Sequence, residues 1–137
     1  MDGDIMDEQS FDKLTETIIG CAYQVSNTLG IGFVEKVYEN AHVHEMRKAG
    51  LQVHQQHPIK VFYDGISIGE FFADILVNEL VLVELKAVSG LNNDHIAQGL
   101  NYLKASGLPV CLLINFGRSK IQIRRLHPSP KWQVTTL

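Results

Sequence analysis

The sequence predicts one domain of the α/β class, more closely α+β, with a central mixed β-sheet flanked by helices in the order α-α-β-β-β-α-β-β. Three observations carry this. Apolar residues recur at helical spacing up to Gly50, alternation and β-branched residues take over as far as Val88, and one further helical stretch precedes two closing strands. A chain of 137 residues, 45% hydrophobic and 20% charged, has the length and composition of a single globular domain with one core.

Residues 1–9 are polar and acidic without periodicity and read as a tail, which leaves 10–137 as the domain. From Ser10, Leu14, Ile18, Ile19, Ala22, Val25 and Leu29 mark one face of a helix that Gly30 and Gly32 stop. A second stripe, Phe33, Val37, Ala41 and on to Met46, predicts a helix closed by Gly50. Extended segments follow at Leu51 to Gln55, Ile59 to Tyr63, Ile66 to Phe72, Ala73 to Asn78 and Leu80 to Val88. Asp64-Gly65 and Asn78-Glu79 are their turns, because these residues tolerate the positive φ of two-residue hairpin loops. Asn92, Asn93 or Asp94 caps a helix through Ile96, Leu100 and Leu103 that stops at Gly107. Pro109 to Phe116 and Lys120 to Arg125 then read as strands.

Composition narrows the function classes. Cys21 and Cys111 lie in apolar runs without CxxC or Cys/His spacing, which reads as free thiols and argues against a disulfide or a zinc site. No apolar run approaches a membrane span and the first residues are acidic, so the expectation is a cytoplasmic protein with no membrane partner. The net charge of −3 hides an asymmetry: residues 1–84 hold 14 acids and 5 bases, residues 85–137 hold 1 acid and 7 bases. Arg118, Lys120, Arg124, Arg125 and Lys131 therefore read either as phosphate contacts or as a solvated face.

Chemistry concentrates in Leu80 to Val88, where an otherwise apolar strand carries Glu84 and Lys86 two residues apart and so on one face. An unpaired buried charge costs several kcal/mol, so these residues need each other, a metal or solvent. Asp74 repeats the anomaly in the preceding apolar segment, and the Asn78-Glu79 turn would bring it across the ladder from Glu84. Two hard oxygen ligands with retained waters suit Mg²⁺ or Mn²⁺. The competing reading is a solvent-facing strand with a surface ion pair.

With these residues in view, the chain resembles the PD-(D/E)XK nuclease superfamily, and within it the GxxExxY proteins, over residues 14–126. The name motif stands as Gly32, Glu35 and Tyr38. Asp74 falls at the family's metal-binding Asp, and Glu84-Leu85-Lys86 at its ExK. Gln98 and Tyr102 are similar to the QxxxY element of RecB-like members, and Leu112 to Gly117 resembles the strand that closes the family's core. The chain departs from the family at Phe71-Phe72, where many members carry a polar or basic residue.

The resemblance implies a Mg²⁺- or Mn²⁺-dependent nuclease acting on DNA, with RNA as the other substrate class. The metal would be held by Asp74 and Glu84, with Glu35 as a third acid, direct or through water. Lys86 would orient the attacking water, and Gln98 and Tyr102 would reach the same pocket from one helix face. Tyr38 reads as core packing with a bonded hydroxyl. His95, which opens the Gln98 helix, reads either as a phosphate contact or proton carrier, or as a cap; the other histidines lack metal-ligand spacing. Homodimerisation would supply the surface so small a chain needs to grip a duplex. The alternative is a nucleic-acid- or protein-binding module that keeps the fold without cleaving.

Overall fold

A computed structural model describes residues 7–129. The elements follow the predicted order: α1 Glu8–Leu29, α2 Glu35–Lys48, β1 Val53–Tyr63, β2 Ile66–Val77, β3 Val81–Lys86, α3 Asn93–Ser106, β4 Val110–Asn115 and β5 Gln122–Leu126. Helix α1 begins two residues before Ser10 because Asp7 caps it, its Oδ1 accepting from the Ser10 N–H at 2.7 Å. Lys131, placed among the basic residues above, lies outside the described residues.

The strands form one mixed sheet in the order β1-β2-β3-β4-β5. Neighbours are antiparallel except β3 and β4, which are parallel because α3 carries the chain back across the sheet between them. Both predicted turns are tight, with positive φ at Asp64 and Gly65 and at Asn78 and Glu79. The four segments read between Leu51 and Asn78 merge into two long strands.

Each face of the sheet has its own core. Val81, Val83 and Leu85 of β3 pack with Leu14, Ile18, Tyr38 and Met46 from α1 and α2. Leu82 packs with Tyr102 and Leu103 of α3. Glu84 and Lys86, in phase with Leu82, thus lie towards α3. The buried residues of α2 are Tyr38, Glu39, His42, Val43 and Met46. Phe33, read from the sequence as the start of its apolar stripe, lies before the helix and is exposed. The shift arises because Val34 is the N-cap, so the helical phase begins only at Glu35.

Besides a register shift between Val61 and Phe62, alternation within the hairpin slips at Gln56. Gln55 pairs with Ile75 and His57 with Ala73, which sets Gln56 opposite Asp74. Gln56 takes a positive φ of 55° inside the strand. Ile75 belongs to the core under α1 and α2, whereas Ala73 belongs to the core under α3. Residues one step apart in phase thus point to opposite faces, and the change of face occurs at Asp74. Among the described residues no helix is long and apolar enough to cross a membrane.

Candidate active site

The β2–β3 ladder runs from Val77 opposite Val81 to Ile75 opposite Val83. One step further, Asp74 and Glu84 face each other and side chains replace ladder bonds. The Asp74 N–H donates to Glu84 Oε1 at 3.4 Å, and the Leu85 N–H donates to Asp74 Oδ2 at 2.8 Å. Glu84 is only 4% exposed. Burial first, then the charge of Asp74, push its carboxyl up to about 10, with Lys86 opposing only weakly.

Glu35 opens α2 and is half-buried. Burial first and then the Asp74 charge raise its carboxyl above the ordinary range, while Lys86 pulls the other way. It therefore shares the field of the pair. Among the described residues no three His, Cys, Asp or Glu side chains are gathered in ligating geometry; the two facing carboxylates are the donors that would hold a metal here. That donor set fits a hard divalent cation that keeps most of its waters, and the excess of negative charge around Glu84 is what such a cation would offset.

Lys86 donates from Nζ to Gln98 Oε1 at 3.1 Å, which fixes its ammonium beyond Glu84 on the α3 side. Tyr102, one turn along α3 from Gln98, stacks on Phe71 with centroids 4.4 Å apart. Burial, then the charges of Glu84 and Asp74, push its phenol up to about 12, so it stays a donor at neutral pH. Gln98 and Tyr102 thus come to the same site as the two acids and Lys86.

His95 is engaged in a capping box. Its Nδ1 accepts from the Asn92 N–H at 3.1 Å while Asn92 Oδ1 accepts from the His95 N–H at 3.0 Å. The basic residues do not converge. Arg118 and Lys120 are exposed between β4 and β5. Arg125 is drawn to α1, donating to Asp12 Oδ1 at 3.3 Å and Thr15 Oγ1 at 3.4 Å and lying over the Phe11 ring. Arg124 pairs with Leu113, itself opposite Glu84, and so faces the α3 side instead.

Three features escaped the sequence reading. Glu39 is buried and accepts from Lys36 Nζ at 3.0 Å, Gln55 Nε2 at 2.8 Å and Gln56 Nε2 at 3.2 Å. It stands one turn after Glu35, and that i, i+4 spacing was the available signal. Gln56, opposite Asp74, gave none. Asn115, the one polar residue of β4, bonds Val88 through both its amide and its carbonyl oxygen, donates to Gln122 Oε1 at 3.0 Å, and accepts from the Gly117 N–H at 2.9 Å. This clamps the exit of β3 to the end of β4, and a Cβ at Gly117 would overlap the Val88 backbone.

The motif residues have structural duties as well. Gly32 takes φ 113°. Tyr38 donates to the Gly30 carbonyl at 2.7 Å, accepts from the Phe33 N–H at 3.3 Å, and stacks on Phe116 with centroids 4.9 Å apart. Tyr38 therefore pins the loop that delivers Glu35.

A family model described as the PD-(D/E)XK nuclease superfamily matches residues 12–126. Among solved structures, the crystal structure of an alkaline exonuclease from Laribacter hongkongensis is similar, with a TM-score of 0.55 and 14% identity over 96% of this chain and 75% of that one. At that identity the likeness speaks for the fold. No curated protein matches the chain.

Proposed function

Because the chain belongs to the PD-(D/E)XK nuclease superfamily, we propose that it is a metal-dependent nuclease that hydrolyses phosphodiester bonds, with DNA as the first substrate to test and RNA the second. The observation that carries this is the facing pair Asp74 and Glu84 at the point where the β2–β3 ladder opens, with Lys86 beyond it. Asp74 and Glu84 would hold Mg²⁺ or Mn²⁺, with Glu35 in reach through water. A bound cation supplies a polarised phosphate oxygen and a water of lowered pKa.

The chain's own groups do the rest. Lys86 orients the attacking water and offsets charge developing on phosphorus. Gln98 keeps the ammonium in place, and the Tyr102 hydroxyl donates towards the same negative charge. Gly32, Glu35 and Tyr38 also support the finer GxxExxY assignment. A cytoplasmic location belongs to the same reading.

The test is cleavage of labelled single-stranded, duplex and branched DNA, and of RNA, with Mg²⁺ or Mn²⁺. Glu84→Ala and Lys86→Ala should each lose at least ~100-fold in rate, the scale expected when one group stabilising the transition state is removed. Cleavage equal in wild type and both variants would refute the site. Retained binding without cleavage would favour a module that binds nucleic acid and does not cut it.

A further inference from the structure

We propose that the rim of the Asp74–Glu84 site is a platform for unpaired nucleobases: Phe33 and Phe72 stack the bases of a single strand whose backbone reaches the carboxylates. This rests on the reading of that site as a nuclease centre and names its substrate class.

Phe33 is 48% exposed and Phe72 is 50% exposed. Scattered exposed rings need no explanation, but these two flank the acids in the chain. Phe33 and the exposed Val34 run directly into Glu35, and Phe72 stands two residues before Asp74. The change of face at Asp74 puts both rings on the Glu35 side of the fork, across the sheet from Lys86 and Gln98. Phe71 and Ala73 point to α3, so Phe72 between them points to the face covered by α1 and α2, where the Phe33 loop enters.

The Phe33 ring and the Phe72 backbone are held in place before any ligand arrives. The Phe33 N–H donates to Tyr38 Oη, and its ring lies edge-on to Tyr38 at 6.2 Å. The backbone of Phe72 is fixed in the ladder opposite Pro58. Groups already positioned lose less entropy on binding.

On the α1–α2 side a cationic grip on a duplex backbone is disfavoured, because Lys36 is paired with Glu39 and Arg125 with Asp12. Stacking needs no such grip, because every base has a π-face, but the bases must be unpaired to offer it.

The experiment measures binding to an Asp74→Asn chain, which cannot cleave on this reading. The probes are a fluorescent single-stranded oligonucleotide, the duplex of the same sequence, and a single strand carrying 2-aminopurine. The single strand should bind about tenfold tighter than the duplex and quench 2-aminopurine. Phe33→Ala and Phe72→Ala should each weaken it about tenfold and lose the quench, the range reported for removing one stacked base. Phe72→Trp should restore both, while Phe72→Leu and Phe33→Leu, which keep apolar bulk and guard against a folding defect, should not.

Equal affinity for duplex and single strand would overturn the proposal, as would unchanged binding by the Ala variants. So would a change of apparent mass on size exclusion in those variants, which would mean that the rings bury against a second copy. Cleavage by the otherwise unaltered chain separates the two readings: ring-dependent binding without cleavage would remove the nuclease and keep the platform. Cleavage with KM unaffected by Phe33→Ala and Phe72→Ala would do the reverse.

Discussion

His42 is fully buried against α1, its Nε2–H donating to the Ile18 carbonyl at 2.9 Å while Nδ1 has no partner among the described residues. Burial lowers its pKa from 6.5 to about 4. The folded chain therefore resists a proton that the unfolded chain accepts between those values. Stability due to the neutral ring is complete above pH 6.5 and is lost as pH falls towards 4, by on the order of 3 kcal/mol. His42→Gln, which keeps a donor for Ile18 and does not titrate, should flatten that part of the stability curve in denaturant melts.

Glu84 has the opposite sign. Its folded pKa is raised from 4.5 to about 10, so the chelator-treated protein should lose stability as pH rises through that window, and Glu84→Gln should remove the loss. A wild-type curve parallel to that of Glu84→Gln would refute the burial of this carboxyl beside Asp74. At this scale Asp74, Glu84 and Lys86 were legible because charge in an apolar strand is costly and rare. Glu39 was not, since a Glu on a helix is ordinary until its donors from another strand are known.

At the scale of the element, α3 carries both a cap and a share of the site. Asn92 is its N-cap and His95 completes the box. Asn92→Ala should cost about 1 kcal/mol in thermal or chemical melts. His95→Ala should cost less and leave the cleavage rate unchanged; a large loss of rate without loss of stability would return His95 to the phosphate-contact role. Helix and strand order, both hairpin turns and the Gly107 stop were readable from periodicity and turn chemistry. The face of α2 was not, because its phase depends on where the loop before it ends. The positive φ of Gln56 was not readable either, because glutamine does not signal one in mid-strand.

At the scale of the molecule, the two cores leave the acids at a fork between strands, where folding brings like charges together. A divalent cation bound there adds RT ln(1 + [M]/Kd) to stability, about 2.7 kcal/mol at a hundredfold excess over Kd. Calorimetry should therefore show the melting temperature rising with Mn²⁺ in the wild type and not in Glu84→Gln; no rise in the wild type would count against the pair as a metal site. The basic residues of the C-terminal third looked like one cluster in the sequence, yet alternation along β5 sends Arg124 and Arg125 to opposite sides.

The clamp of Asn115 and Gly117 on Val88 has a consequence for inheritance. Since any side chain at Gly117 would overlap the Val88 backbone, a saturation library selected for function should be as empty at this position as at Glu84. The two would part in a screen for soluble protein, where Glu84→Gln survives and Gly117→Ala does not. Invariance here would record a steric prohibition, and reading it as chemistry would mistake the hinge post for the blade.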